Sequence, residues 1–265
     1  MTNLHTHTTF CDGKNTVEEF AKVAIEKGFS SLGFSGHGYT EYDLRYCMKD
    51  MDGYIAEVKR IKEKYKGKIE IYVGVEEDSH SEVCREKFDY LIGSCHYLWI
   101  DGNAYPLDSN YDYFKICLKA CGGDAIRLAK EYYEQFCQYI LRRKPDIIGH
   151  FDLPTKFDER EQCRFLQNKT YWKIAEEYLE RALRAGCIFE VNTGLMARGY
   201  RSSPCPHERL LKIIAKKGGK VTLSSDAHQV ETLGYGFEEV KKLLRDVGFC
   251  EIYTFESGKW IANEL

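Results

Sequence analysis

Seven short apolar runs alternate along the chain with stretches of helical periodicity. The runs are NLHTHT (3–8), SLGFSGH (31–37), KIEIYVGVE (68–76), FDYLIGSCH (88–96), PDIIGHFD (145–152), CIFEVNT (187–193) and KVTLSSDAH (220–228). Their length and β-branched content suit strands buried on both faces, the condition of a parallel sheet. The helical stretches carry their own start and stop signals. In TVEEFAKVAIEKG, Thr16 stands as an N-cap with Glu19 three residues on, and Val17, Phe20, Ala21, Ala24 and Ile25 share one face before Gly28. DGYIAEVKRIKEKYKG, DAIRLAKEYYEQFCQYILRRKP, TYWKIAEEYLERALRAG, PHERLLKIIAKKGG and FEEVKKLLRDVG repeat the plan. Strand–helix repetition builds βαβ units. Seven such units in 265 residues is one short of a (β/α)8 barrel, so the expected fold is an α/β chain closed as an irregular, TIM-barrel-like barrel. The rival, a doubly wound sheet, lacks a G-x-G-x-x-G after its first strand. With five prolines and no low-complexity stretch, nothing marks a boundary, and one domain over residues 1–265 is expected.

Metal-capable side chains fall at the C-terminal ends of these runs. The first carries His5 and His7, and the second, third, fourth and fifth end at His37, Glu76, His96 and His150. The seventh ends with Asp226 and His228. In parallel α/β folds this is the end where sites are built. His5 and His7 are two apart, as are Asp226 and His228, so each pair shares one side of its strand. A lone histidine at a strand end is ordinarily structural, but six of the chain's eight histidines obey the pattern. His80 and His207 lie outside it and are read as loop residues, His207 at a helix start. With Asp12 on the loop after the first strand, the candidates number nine, more than one ion needs. Two or three divalent ions sharing bridging groups are expected, and zinc, manganese and iron all suit the mixture of imidazole and carboxylate.

Charge and cysteine content remove other classes. The net charge is −3, with 41 acidic against 38 basic side chains, so neither nucleic acid nor an anionic membrane is an expected partner. No run of about 18 apolar residues suggests a membrane span, and no signal-peptide pattern is read at the N-terminus. Eleven scattered cysteines without a C-x-x-C pair fit reduced thiols and a cytoplasmic location better than a disulfide scaffold.

HTHTTFCDG, GFSGH, GVEED, DYLIGSCHYL, IIGHFDL, EVNTGL and LSSDAH resemble, in that order, the motifs of the polymerase and histidinol phosphatase (PHP) superfamily over nearly the whole chain. GSCHYL and GHFDL draw it toward the histidinol-phosphate phosphatases. The resemblance implies a distorted (β/α)7 barrel with a trinuclear metal centre at its mouth, and hydrolysis of a phosphate monoester, L-histidinol phosphate above all. It implies His5, His7, Glu76 and Asp226 around one metal, Glu76 bridging to a second held with His96 and His150, and Asp12, His37 and His228 on a third. A hydroxide bridging the metals would be held by Glu76 and Asp226. Arg160 and Arg198 resemble the family's phosphate-binding arginines, with Arg201 and Lys156 as near substitutes, and Ser94 is a candidate donor to phosphate. Tyr39, Glu41 and Tyr97 are candidates to recognise the imidazole and amine. The general acid stays open among Asp12, His207 and metal-bound water. Two rival readings are a PHP phosphoesterase for another small phosphate ester or nucleotide and a non-catalytic PHP metal-binding module.

Overall fold

The computed structural model describes residues 1–161 and 165–265. Strand β1 (Thr2–Asn3) leads through helix α1 (Val17–Glu26) to β2 (Ser31–Phe34), and α2 (Met51–Lys64) leads on to β3 (Glu70–Asp78). Strand β4 (Tyr90–Ser94) follows β3 with only a single 3-10 turn between them. A hairpin of β5 (Tyr97–Ile100) and β6 (Asn103–Pro106) comes next, then α3 (Tyr111–Ala120), α4 (Ala125–Arg143) and β7 (Ile147–Ile148). Helices α5 (Asp158–Glu161) and α6 (Lys169–Leu183) lead to β8 (Ile188–Asn192), and α7 (Gly194–Ala197) and α8 (Glu208–Lys216) to β9 (Val221–Ser224). Helix α9 (Phe237–Asp246) and a second hairpin, β10 (Glu251–Glu256) with β11 (Lys259–Glu264), complete the order.

The seven parallel strands run β1-β2-β3-β4-β7-β8-β9, matching the seven expected runs in order. The two ends of this sheet meet: Thr6 bridges Ala227 in parallel, His7 N donates to Ala227 O at 2.9 Å, and Ala227 N donates to His5 O at 3.2 Å. The Asn3 side chain reinforces the seam by accepting from Ser225 N at 2.7 Å. The barrel is therefore nearly closed. Its irregularity has a visible cause, since the β3–β4 connection carries no α-helix where the other links carry at least one. Strand β7 is also shorter than the run 145–152 predicts. The ladder stops there because His150 N turns from the neighbouring backbone to the Glu190 carboxylate, 2.8 Å away.

The expected capping box is present: Thr16 accepts from Glu19 N at 3.3 Å and Glu19 accepts from Thr16 N at 2.7 Å. Val17, Phe20, Ala21 and Ala24 are buried against the barrel, as the periodicity requires. The two hairpins and α3 were not among the expected elements. Each hairpin turns on a two-residue pair with positive φ, Asp101-Gly102 and Ser257-Gly258, the backbone that suits a tight hairpin turn.

Inside the barrel, below the mouth, Leu4, Tyr72, Tyr90, Ile92 and Ile147 form a separate apolar plug, and Phe255 of β10 packs against it. The Tyr90 ring lies flat on two strands, and it can do so only over glycine. A Cβ on Gly74 would sit 2.1 Å from Tyr90 Cζ, and one on Gly33 would sit 2.3 Å from its hydroxyl. The hydroxyl donates to Leu4 O at 2.5 Å, joining β4 to the seam. Gly74→Ala should therefore destabilise the fold by about 1–3 kcal/mol through overpacking, read as a lower denaturation midpoint; an unchanged midpoint would mean that the ring is not fixed there.

Candidate metal centre

Most of the ligand candidates reach the barrel mouth because they follow the ends of the parallel strands. His5 and His7 project from the chain just after β1, and Glu76 from the long β3, whose outer end bridges His37 after β2. His96 and His150 follow β4 and β7, and Asp226 and His228 follow β9. All nine expected residues converge. Glu76, 1 % exposed, is the hub. Its Oε2 lies 3.2 Å from His5 Nε2, 3.4 Å from His7 Nε2 and 3.0 Å from His37 Nδ1. Its Oε1 lies 3.3 Å from His96 Nε2 and 3.0 Å from His150 Nε2. Asp226 Oδ1 stands 3.3 Å from His7 Nε2, 3.7 Å from His5 Nε2 and 3.5 Å from His228 Nδ1. Asp12 reaches back from its loop to His37 Nε2 at 3.6 Å and His228 Nε2 at 3.4 Å.

The residues fit a metal cluster by an internal test. His5 Nε2, His7 Nε2 and Glu76 Oε2 are buried and accept or donate no hydrogen bond. Leaving three buried polar atoms unsatisfied at one point is costly. A cation facing all three removes that cost. Three sets of ligand atoms lie close enough to share an ion: His5, His7 and Glu76; His37, Glu76 and His96; and His7, Asp12, His37 and His228, each set within 4.8 Å. Glu76 belongs to two of them, the position of a bridging carboxylate. Asp226 is held in an unusual backbone state, φ 45°, which costs a non-glycine residue about 1–3 kcal/mol. Gly194 leaves room for it, since a Cβ there would be 2.9 Å from Asp226 Cβ.

Two carboxylates that the sequence reading did not single out steady the histidines from behind. Glu190 on β8 pairs with His5 Nδ1 at 2.5 Å, and Asp78 accepts from His96 N at 2.8 Å with its Oδ2 3.3 Å from His96 Nδ1. The signal was available: Asp78 is two residues after Glu76, on the same side of the strand, and a glutamate inside the buried run IFEVN has no solvent to face.

The electrostatics follow from this packing. Burial works against ionising Glu76, but His5, His96 and His37 outweigh it and hold its carboxyl well below the usual range. Burial likewise opposes ionising Asp226, and Arg198 and His5 overcome it. Burial also disfavours a charged His5, yet Glu190, Glu76 and Asp226 raise its pKa well above the ordinary imidazole value, and Glu76 and Asp78 do the same for His96. His7 goes the other way, pushed down to about 3 by burial and the adjacent His228 and His37.

These shifts make both stability and metal affinity depend on pH. The raised histidines stabilise the metal-free protein fully below about pH 6.5, and this is lost as pH rises through their folded values. The lowered carboxylates contribute above about pH 4.5, and this is lost in acid. An entering cation must displace the protons on His5 and His96. The metal-free protein should therefore lose thermal stability as pH rises above neutrality, whereas metal affinity should rise with pH, each addition of ion releasing protons into a weakly buffered solution. Proton-neutral binding with a flat pH profile would contradict this charge assignment.

Above the cluster lies a cavity of about 420 Å3, lined by Asp12, Glu76, His96, Asp226 and His228 below and by Arg198, Lys156, Asp108, Tyr97 and Asp43 at its sides. Arg198, at the end of α7, donates to Asp226 Oδ2 at 2.9 Å and lies 3.3 Å from His228 Nδ1. Lys156 donates to the Asp108 carbonyl and lies 3.4 Å from its carboxylate.

The other expected substrate residues are placed differently. Arg160 is exposed and stacks on the Tyr200 ring at 5.3 Å instead of lining the cavity. Arg201 is buried against Asp152 and Thr155 and is spent on structure. The Ser94 hydroxyl, fully buried, donates to Glu76 Oε1 at 2.6 Å and so faces a metal ligand, not the cavity. Tyr97 reaches the cavity but donates to Asp43, while Tyr39 and Glu41 open onto a separate surface groove. His207 caps α8, and His80 pairs with Gln135.

The family model of the PHP domain matches residues 3–194. The chain belongs to the PHP family. It is 30% identical to a protein of Deinococcus radiodurans named "Probable histidinol-phosphatase", the alignment covering 94% of this chain and 95% of that one. It is 27% identical to the histidinol-phosphatase of Bacillus subtilis over 88% of this chain and 96% of that protein. Among solved structures, a Lactococcus lactis histidinol phosphate phosphatase complexed with zinc, L-histidinol and phosphate superposes with a TM-score of 0.69 at 20% identity, covering 98% of both chains. At that identity the likeness is one of fold, and the barrel of this PHP chain has the same architecture. Strand β9, with Asp226 and His228 beyond it, lies past the residues matched by the family model, yet it closes the PHP barrel against β1.

Proposed function

We propose that this PHP chain, acting as one unit over residues 1–265, hydrolyses L-histidinol phosphate to L-histidinol and inorganic phosphate with two to three divalent ions at the barrel mouth. The observation that carries the reading is the hub arrangement of Glu76 among five imidazoles beneath a cavity walled by Arg198 and Lys156. Its volume suits a small-molecule ligand, and the names of the full-length relatives narrow the phosphate ester.

Ions held there would neutralise charge on the phosphoryl oxygens and lower the pKa of a bound water. His5, His7, Glu76 and Asp226 would hold one, Glu76, His96 and His150 a second, and Asp12, His37 and His228 a third. Zinc, manganese and iron all suit this donor set. The chain's own groups do the rest. Glu76, kept anionic by the imidazoles around it, would be shared between the first two sites. Asp226, ionised beside Arg198, holds its carboxylate at the cavity floor. Arg198 presents guanidinium donors at the cavity edge, where a dianionic phosphate is best recognised. Lys156 adds a second cation, in place of Arg160. Ser94 supports the phosphate indirectly by holding Glu76.

The test is phosphate release from L-histidinol phosphate before and after chelation. Activity should vanish on metal removal and return with zinc or manganese. Full activity in metal-free protein would refute the reading.

A further inference from the structure

Glu190 lies on β8 behind the metal centre, 0 % exposed, and is not among the residues lining the cavity above the cluster. A buried carboxylate is costly unless its oxygens are satisfied. Here all the donors come from the site's own frame. Oε1 faces His5 Nδ1 at 2.5 Å and accepts from the Ser224 hydroxyl. Oε2 accepts from His150 N at 2.8 Å and from Asn192 Nδ2 at 2.9 Å. Among the described residues its one ion-pair partner is His5. One side chain on β8 thus holds a ligand beside β1, a ligand after β7 and the last residue of β9, which span the seam of the barrel.

We infer that Glu190 is a positioning residue of the metal centre: it fixes His5 in the tautomer with the proton on Nδ1, so that the free lone pair of Nε2 faces the ion, and it sets the backbone that aims His150. The inference rests on the metal-centre reading above. Its geometry supports it twice over. His5 Nε2 makes no hydrogen bond of its own, so Nδ1 is the nitrogen that Glu190 claims. A carboxylate behind a ligating imidazole both orients the ring and raises its basicity, and loss of such a partner commonly costs about 10–100-fold in metal affinity.

Glutamine at this position cannot substitute. If its carbonyl accepts from His5 Nδ1, its amide N–H groups confront the His150 N–H and Asn192 donors. If it is flipped, it offers a donor to Nδ1 and drives the proton onto Nε2, the face meant for the ion. Aspartate keeps the charge and both acceptors but is one methylene short.

The test uses the full chain loaded with zinc and labelled with 15N-histidine. In wild type, the His5 ring, assigned through its own Cβ protons, should carry its proton on Nδ1, with the downfield shift of a short hydrogen bond. Zinc titration of chelator-stripped protein should show E190Q weakened about 10–100-fold for part of the bound zinc, with E190D recovering part of the loss. A His5 proton on Nε2 in the zinc-loaded wild type would overturn the inference even if E190Q fails to fold. So would an E190Q protein that binds zinc as wild type does. A wild type that binds no divalent ion would instead overturn the metal-centre reading itself.

Discussion

Glu76→Gln is expected to lower kcat/KM for L-histidinol phosphate by at least about 10³-fold, roughly 4 kcal/mol of transition-state stabilisation. The substitution keeps the shape and removes the charge. Glu76 stands within 3.4 Å of imidazole nitrogens from His5, His7, His37, His96 and His150. An amide placed there must present N–H donors on one side, and it can no longer neutralise ions or offer two anionic oxygens to adjacent sites. The loss should therefore appear in metal content as well as rate, with bound zinc or manganese falling below the wild-type stoichiometry. A variant that keeps full metal content and remains within tenfold of wild-type activity would show that Glu76 bridges nothing.

Arg198→Met should cost about 10–100-fold, and the loss should take a different form. Methionine preserves much of the stem volume and removes the guanidinium. The head group is partly exposed at the cavity edge, 31 % for the side chain, and its contact with Asp226 Oδ2 leaves further N–H donors available. If it recognises phosphate, KM for the ester and the inhibition constant of inorganic phosphate should rise together while metal content holds. Asp226 remains beside His5, His7 and His228 after the change, so its ionised state has other support. If metal is lost and phosphate inhibition is unchanged, Arg198 serves the ligand Asp226 and not the substrate.

The barrel and its ligand ring were legible in the sequence because each depends on local pattern. Period and length set the seven strands, and the i,i+2 spacing marks His5 with His7 and Asp226 with His228, although both pairs lie just beyond their strands and Asp226 takes a left-handed φ of 45°. What brings the first pair to the second is the closing contact of Thr6 with Ala227, which only the parallel order of all seven strands produces. The substrate side was less legible. Arginines after the fifth and sixth strands were the natural cations, but a loop residue's direction depends on tertiary packing. Arg160 turns outward onto Tyr200, whereas Lys156, four residues earlier, is drawn into the cavity by Asp108. Asp108 lies in the segment that follows the β5–β6 hairpin, whose turn carries the Asp101-Gly102 pair that favours a tight hairpin. Ser94 and Glu190 show a second limit: distance in space, not sequence position, turns the Ser94 hydroxyl to Glu76 instead of to substrate and sets Glu190, which no motif singles out, against His5.

Selectivity for L-histidinol phosphate is what separates the proposed enzyme from a general metal-dependent phosphatase. Steady-state kinetics of the zinc- and manganese-loaded protein on that ester and on generic phosphate monoesters such as p-nitrophenyl phosphate measures it. The expected kcat/KM for L-histidinol phosphate is at least about 10²-fold above that for the generic esters, a difference of roughly 2.7 kcal/mol. Hydrolysis of L-histidinol phosphate no faster than that of the generic esters would contradict it.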